Sequence, residues 1–274
     1  MEFTTTDARE RFDSVREHLG GAVIGLDFDG VLAPIVEDPA RARIHPRAHQ
    51  VLVPLARRVR AVAVITGRPA RQAISLGGLD DLGTEFERIG RELQVFGQYG
   101  NEHWSSSDSR IVSPRPPYGL STLIANLPRL LRQADAADAT IEEKGLAVAI
   151  HTRRLPDPKD AFERLFPLLS AAALDAGLDV EPGKFVIEIR SGDMDKGKVV
   201  DRLVAELDPT AFVFAGDDLG DLPAYASLER LAQDGLPTLR VCSVSADHTE
   251  LQAYADLVVP GPDGVLDFLN DLSR

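Results

Sequence analysis

Three short apolar runs in this sequence each end in a polar cluster. Residues 22–28 (AVIGLDF) lead through Asp29 to Gly30, residues 61–65 (AVAVI) run into Thr66-Gly67-Arg68, and residues 211–215 (AFVFA) run into Gly216-Asp217-Asp218. Runs so short and so apolar predict strands buried on both faces, and such strands belong to parallel sheets covered by helices. Helical stretches at about 49–60 and from near Lys196 supply that cover. Further strands are expected at 94–97, 238–242 and 257–259, with a closing helix over 264–272. The first 20 residues predict a polar helix, with Phe12, Val15 and Leu19 at helical spacing. The expected fold class is α/β, a doubly wound parallel sheet.

The pattern breaks near Ser105. Residues 105–118 (SSSDSRIVSPRPPY) are rich in Ser and Pro, as a linker would be. Beyond them an amphipathic helix over about 120–133 precedes strands at 139–143 and 146–152, which flank Lys144-Gly145. A helix over 159–176 precedes a second strand pair, 180–181 and 185–190, turning at Pro182-Gly183. Helix–hairpin–helix–hairpin is a small α+β unit set between two halves of an α/β domain. The expected division is a core from 1–107 and 191–274, with an inserted α+β cap domain, or lid, over 108–190. A chain of 274 residues suits one large or two modest domains and buries a sizeable core without covalent staples. The single cysteine, Cys242, excludes an internal disulfide and a cysteine-based zinc cluster.

Composition narrows function by exclusion. A formal net charge of −13 leaves no electrostatic footprint for nucleic acid or an anionic membrane. No apolar run approaches the roughly 20 residues of a membrane span, and residues 1–20 lack the apolar stretch of a secretory signal. A cytoplasmic setting is therefore the expectation. An anionic substrate would need a local arrangement strong enough to overcome the overall field.

Open parallel sheets bind ligands outside the carboxyl ends of their strands, where the three clusters fall. Asp27 and Asp29 repel each other unless a cation or proton intervenes. A lone Asp-x-Asp is usually a helix cap or a turn. Here the preceding apolar run and the following Gly30 favour chemistry, with one carboxylate as nucleophile and its neighbour as general acid–base. Asp217, Asp218 and Asp221 add three carboxylates in five residues; with Asp27 and Asp29 they would form a hard-oxygen pocket suited to Mg2+. The alternative, an acidic loop capping the next helix, suits Asp221 better than all three. Thr66 either binds a phosphate oxygen or caps the helix that follows. Lys196 sits at a helix start, where the dipole disfavours a cation; it would suit a phosphate held at that N-terminus.

In order, Asp27-x-Asp29-Gly30-x-Leu32, Thr66-Gly67-Arg68, Lys196 and Gly216-Asp217-Asp218-x-x-Asp221 resemble the four motifs of the haloacid dehalogenase superfamily of phosphatases. Within it, EEKGLAVAIHTR (142–153), EPGKFVIEIR (181–190), DKGK (195–198) and GDDLGDLPAY (216–225) resemble trehalose-6-phosphate phosphatases. The likeness runs from about Gly25 to Leu269. It implies a haloacid-dehalogenase-like Rossmannoid core and an Mg2+-dependent phosphatase that releases trehalose from trehalose 6-phosphate. It implies that Asp27 attacks phosphorus and becomes the aspartyl phosphate, while Asp29 protonates the leaving sugar oxygen and then activates water. Mg2+ would be held by Asp27, the Asp29 carbonyl and Asp217, with Asp218 and Asp221 in support. Thr66 and Lys196 would neutralise the phosphoryl oxygens, and Arg68 would bind substrate.

Two positions depart from the family pattern: Val31 stands where many relatives have Thr, and Thr66 where relatives usually have Ser. Sugar recognition would fall to the insert and its approach, through Glu102, Lys144, His151, Arg153, Lys184, Glu188 and Arg190. Strand alternation puts Lys184, Val186, Glu188 and Arg190 on one face, and cross-strand ion pairs are the alternative for Arg190 and Arg154. Trp104 and Cys242 read as packing residues, and His45, His49 and His248 show no ligand spacing. Rival readings are a related phosphatase for sucrose phosphate, mannosyl-phosphoglycerate or a simple sugar phosphate, a phosphomannomutase, and a receiver-like phospho-signalling module. Asp29 and the cap argue against the last, since signalling needs neither a leaving-group acid nor a lid. A binding protein without catalysis is disfavoured because the catalytic set is complete. The expected partner is a small sugar phosphate, not nucleic acid or membrane, and a trehalose-phosphate synthase partner stays open.

Overall fold

Strands with no solvent on either face must be flanked by other strands and roofed by helices, and the central runs of this chain are so placed. The computed structural model describes residues 2–36, 38–245 and 250–274, so that His248 lies outside the described residues. The chain divides into two compact units, Met1–Ser113 with Asp195–Arg274, and Pro114–Met194.

The first unit opens with β1 (Glu2–Phe3), α1 (Thr6–Glu17), β2 (Ala22–Leu26), α2 (Ala48–Arg58) and β3 (Ala61–Ile65). It continues through α3 (Ala70–Gly77), α4 (Leu79–Arg88), β4 (Leu93–Gly97), β5 (Glu102–Ser105) and β6 (Ile111–Val112). The inserted unit holds α5 (Leu120–Gln133), β7 (Thr140–Glu143), β8 (Ala147–His151), α6 (Pro158–Asp175), β9 (Asp179–Gly183) and β10 (Val186–Arg190). The core resumes with α7 (Lys196–Leu207), β11 (Ala211–Gly216), α8 (Leu222–Gln233), β12 (Thr238–Val244), β13 (Leu257–Pro260) and α9 (Gly261–Leu272).

Among the described residues the core strands form a nine-stranded sheet in the order β1-β13-β12-β11-β2-β3-β4-β5-β6. The strands from β13 to β4 are parallel, and β1, β5 and β6 extend the two edges in antiparallel pairing. β2 and β11 lie side by side, Leu26 opposite Ala215. The chain builds outward from β2 on one side and from β11 on the other. That reversal makes the gap between them the switch point at which doubly wound sheets bind ligands. Val23, Ile24, Leu26, Val213 and Phe214 are wholly buried there, and each such side chain contributes about 1.5–3 kcal/mol.

The edges differ from the sequence expectation. Residues 105–118 are not all linker, because Trp104 pairs with Ile111 and carries the sheet on to β6. The core therefore runs to Ser113 rather than 107, and the insert ends at Met194 rather than 190. Short polar strands such as EHWS lack the apolar signal that betrays a central strand.

In the inserted unit the strands form a four-stranded antiparallel sheet, β7-β8-β10-β9, with α5 and α6 on one face. Val148, Ile150, Ile187 and Ile189 meet Leu127, Leu165 and Leu169 in that core. The other face carries a row of partners across all four strands: Glu142, Ala149, Glu188 and Glu181. The second hairpin does not turn at Pro182-Gly183. Val186 pairs with Gly183, so the turn is Lys184-Phe185, with Phe185 in the left-handed region at φ 62°. Val186, Glu188 and Arg190 share a face as expected, but Lys184 lies in the turn, where strand alternation does not apply. No helix among the described residues is long and apolar enough to cross a membrane.

Helix α7, which carries Lys196, ends at exposed Asp208 in the left-handed conformation (φ 44°, ψ 60°). Both the backbone conformation and the anion at a helix C-terminus are unfavourable there. Asp208→Gly should stabilise the protein by about 1 kcal/mol, read as a rise in thermal midpoint; an unchanged or lower midpoint would contradict this account of the cap.

Candidate active site

The carboxyl end of β2 delivers Asp27 into the switch point. Its backbone N–H donates to Ala215 O at 2.9 Å, the last rung between the two central strands. The chain then reverses through Gly30, held at φ 68°, where a Cβ would lie 2.4 Å from the Asp217 carboxyl. Only glycine permits both the conformation and the approach. The Ser243 hydroxyl, from the end of β12, donates to Gly30 O at 2.5 Å and fixes the turn from a third strand.

Lys196, the first residue of α7, has its side chain buried between carboxylates. Its Nζ lies 2.6 Å from Asp221 Oδ1 and 3.0 Å from Asp27 Oδ1. The first contact is a hydrogen bond; the second is close but not aligned as one, so Asp27 Oδ1 is buried without a hydrogen-bond partner. The other oxygen of Asp221 accepts from the Asp217 N–H at 2.9 Å. Gly216 lets it in, since a Cβ there would sit 2.4 Å from that oxygen. Asp218 accepts from Gly220 N–H at 2.8 Å and closes a reciprocal capping box with Asp221. Asp221 and Asp218 thus build the loop and hold Lys196, while Asp27 and Asp217 keep oxygens available.

Oxygens of Asp27, Asp217 and Asp221 all lie within 4.8 Å of one another, and all three residues are buried. Burial first, and then neighbouring carboxylates, push the Asp27 and Asp217 carboxyls well above the usual range. Burial also raises Asp221, against the pull of Lys196. On Lys196 burial acts to lower the pKa, but Asp221 and Asp27 outweigh it and hold the ammonium well above its ordinary value. One ammonium faces three buried carboxylates. The hard oxygen donors, the Asp27 oxygen that accepts no hydrogen bond and the excess negative charge fit a divalent cation.

Thr66 follows β3 directly and is buried. Its hydroxyl oxygen accepts from Arg68 N–H at 3.1 Å, and its own proton remains to donate. It does not cap α3; that position belongs to Glu102, whose carboxylate accepts from Ala70 N–H at 2.6 Å. Arg68 grips Asp29 through two bonds, Nε to Oδ2 at 2.6 Å and Nη2 to Oδ1 at 2.7 Å. Arg68 and Glu102, both expected on substrate, are therefore engaged within the core.

On the inserted sheet, Lys144 Nζ pairs with Glu188 at 2.5 Å and His151 Nε2 with Glu142 at 2.9 Å. Arg190 pairs with Glu181 at 3.3 Å and donates to the Ser191 and Met194 carbonyls. Arg153 donates to the Lys184 carbonyl at 3.4 Å, and both side chains are exposed.

A family profile described as Trehalose-phosphatase matches residues 25–85 and 131–259, more than half of the chain. The chain belongs to the trehalose-phosphatase family. A probable trehalose-phosphate phosphatase of Sinorhizobium fredii is 30% identical over 214 residues, 75% of this chain and 73% of its own length. An uncharacterized glycosyl hydrolase of Mycobacterium tuberculosis is 29% identical over 282 residues, 98% of this chain; the chain spans only 20% of that relative's length. The solved C-terminal domain of Candida albicans trehalose-6-phosphate phosphatase superposes with a TM-score of 0.77 at 21% identity, covering 99% of this chain and 98% of that one. The last likeness is one of fold.

In this member of the trehalose-phosphatase family, Val31 is wholly buried in the core, so the departure there is filled by packing. Trp104 and Cys242 are buried, and burial, with Asp217 and Asp221, pushes the Cys242 thiol up to about 12. His45 and His49 pair with Asp263 and Glu85 on the surface. Sequence reasoning missed Ser243 and Glu142. Each had a signal: Ser243 lies near the carboxyl end of a parallel strand, and Glu142 opens the stretch EEKGLAVAIHTR.

Because the folded state holds the cluster carboxyls above their unfolded values, it binds more protons than the unfolded chain above pH about 4. The metal-free protein should lose stability as pH rises through the raised values. Asp217→Asn removes one charge from the cluster. It should raise the metal-free thermal midpoint at pH 7 by a few degrees, about 1–2 kcal/mol, and by less at pH 5, where protonation already relieves the repulsion. Thermal melts in EDTA at both pH values check this; a lower midpoint at pH 7 would contradict net repulsion.

Proposed function

We propose that this chain is a phosphatase that converts trehalose 6-phosphate to trehalose and phosphate through an aspartyl phosphate on Asp27. The observation that carries the reading is the buried Asp27–Lys196–Asp221 array at the switch point of a trehalose-phosphatase-family core. An Asp27 oxygen attacks phosphorus while the bond to the sugar oxygen breaks, and Asp29 gives that oxygen its proton. Asp29 then takes a proton from the water that attacks the acyl phosphate, so that inorganic phosphate leaves and Asp27 is restored. The Thr66 hydroxyl donates to a non-bridging oxygen, and Lys196 offsets the phosphoryl charge.

Mg2+, held by Asp27, Asp217 and the Asp29 carbonyl, would neutralise the phosphoryl group and the carboxylates facing it. Asp218 and Asp221 serve it indirectly, by fixing the loop and Lys196. A soluble sugar phosphate as substrate suits a cytoplasmic setting. Sugar recognition is assigned to the inserted sheet, whose Glu188–Lys144 and His151–Glu142 pairs offer donors and acceptors matched to hydroxyls.

Phosphate release from a panel of sugar phosphates tests the reading. Trehalose 6-phosphate should be the best substrate, EDTA should abolish release and Mg2+ restore it. Preference for sucrose phosphate or mannosyl-phosphoglycerate would replace the substrate and keep the chemistry. Asp27→Asn should form no phospho-enzyme, whereas Asp29→Asn should slow turnover about 10²- to 10⁴-fold; near-normal turnover by Asp27→Asn would end the mechanism.

Glu188→Ala should lower kcat/KM for trehalose 6-phosphate about ten- to a hundredfold relative to an aryl phosphate. An unchanged ratio of the two substrates would remove sugar recognition from this residue.

A further inference from the structure

Arg68 has its side chain only 10% exposed, whereas its partner Asp29 is 36% exposed. The guanidinium lies inside and the carboxylate faces out. Two of its N–H groups are committed to the two Asp29 oxygens, at 2.6 and 2.7 Å, and a third donates to Pro39 O at 3.0 Å. Its guanidinium carbon lies 5.5 Å from the centre of the Phe28 ring. The backbone is fixed as well: Arg68 N–H donates to the Thr66 hydroxyl and Gln98 N–H donates to Arg68 O at 2.8 Å. A cation so committed is poorly placed to grip a substrate phosphate. It reaches the reaction through Asp29.

We propose that Arg68 is a positioning residue, which holds the Asp29 carboxylate in register with the leaving-group oxygen and ties it to the 38–39 turn and the Thr66 loop. The inference rests on the phosphatase reading above and adds to it the group that orients the acid–base carboxylate. A two-pronged grip fixes both the rotation and the distance of a carboxylate, which a single ammonium does not. Misplacing a catalytic group by about an ångström costs on the order of a hundredfold in rate.

The test measures kcat/KM for trehalose 6-phosphate and for p-nitrophenyl phosphate in wild type, Arg68→Met, Arg68→Lys, Asp29→Asn and the double variant Asp29→Asn/Arg68→Met. This parameter reads events up to departure of the leaving group, and p-nitrophenolate departs with little help from an acid. Arg68→Met should lose about ten- to a hundredfold on the sugar phosphate, with a clearly smaller loss on the aryl phosphate. Arg68→Lys should recover part of the difference. In the Asp29→Asn background, removing Arg68 should cost no more than about twofold further, because residues acting as one unit are not additive.

Equal losses on both substrates, or losses that multiply in the double variant, would overturn the inference and return Arg68 to direct phosphate binding. Thermal melts report folding; if Arg68→Met does not fold, Arg68→Lys alone and with Asp29→Asn carries the same two comparisons. A wild type inactive on every sugar phosphate, or Asp29→Asn as active as wild type, would overturn the phosphatase reading and this inference with it. An active wild type, a slowed Asp29→Asn and multiplying losses would overturn this inference only.

Discussion

A lysine ammonium buried among carboxylates is the interaction on which the arrangement of this site depends. Lys196 cannot be taken out of water without partners, and Asp221 and Asp27 supply them at 2.6 and 3.0 Å. The carboxylates in turn cannot lie this close to one another without a cation. The two demands bring together the end of β2, the start of α7 and the loop after β11, segments widely separated in the chain. A doubly wound sheet satisfies them because its order reverses between β2 and β11, leaving the two strand ends side by side with a helix start above them. The small devices nearby serve the same end. Gly30 makes room for Asp217, Gly216 for Asp221, and Ser243 pins the Gly30 turn. The charges nevertheless do not balance, and that imbalance would suit a dication.

What could be read in the sequence follows from how each feature is stabilised. β2, β3 and β11 are buried on both faces, so their residues are apolar without interruption and announce themselves. Asp27, Thr66, Lys196 and Asp217 were legible because each sits where such an element ends or begins. β1, β5 and β6 were not legible, because short edge strands draw on backbone pairing and a single buried side chain such as Trp104. The turn of the second hairpin was misplaced by two residues because Pro182-Gly183 carries the commoner turn signal. The chain instead places Phe185 at φ 62° and keeps Pro182 in an edge strand, where a missing N–H is tolerated.

Partnership was the least legible property. Arg68 and Glu102 were expected on the substrate from the resemblance to the family. The partners they hold within the protein, Asp29 and the Ala70 N–H, lie 39 and 32 residues away in sequence. No local period encodes such a contact. The inserted sheet is an intermediate case: the hairpins align Glu142 with Ala149 and Glu181 with Glu188, and the long-range pairing of β8 with β10 brings both pairs into one row. Three carboxylates in a row would repel, and Lys144, His151 and Arg190 each pair with one of them.

The same pairing logic separates the two kinds of cation in the core. A cation that is to meet a phosphate must be buried enough to be strong and under-committed enough to share its charge. Lys196 meets that condition: its contact with Asp27 Oδ1 is close but unaligned. Arg68 does not, since its fork is matched to both oxygens of Asp29 and to a carbonyl. A planar fork suits holding a carboxylate in one orientation, and a compact ammonium suits balancing a charge that moves during the reaction. In a chain of net charge −13, the two cations differ in geometry: Lys196 keeps one contact unaligned, whereas Arg68 is matched to three acceptors.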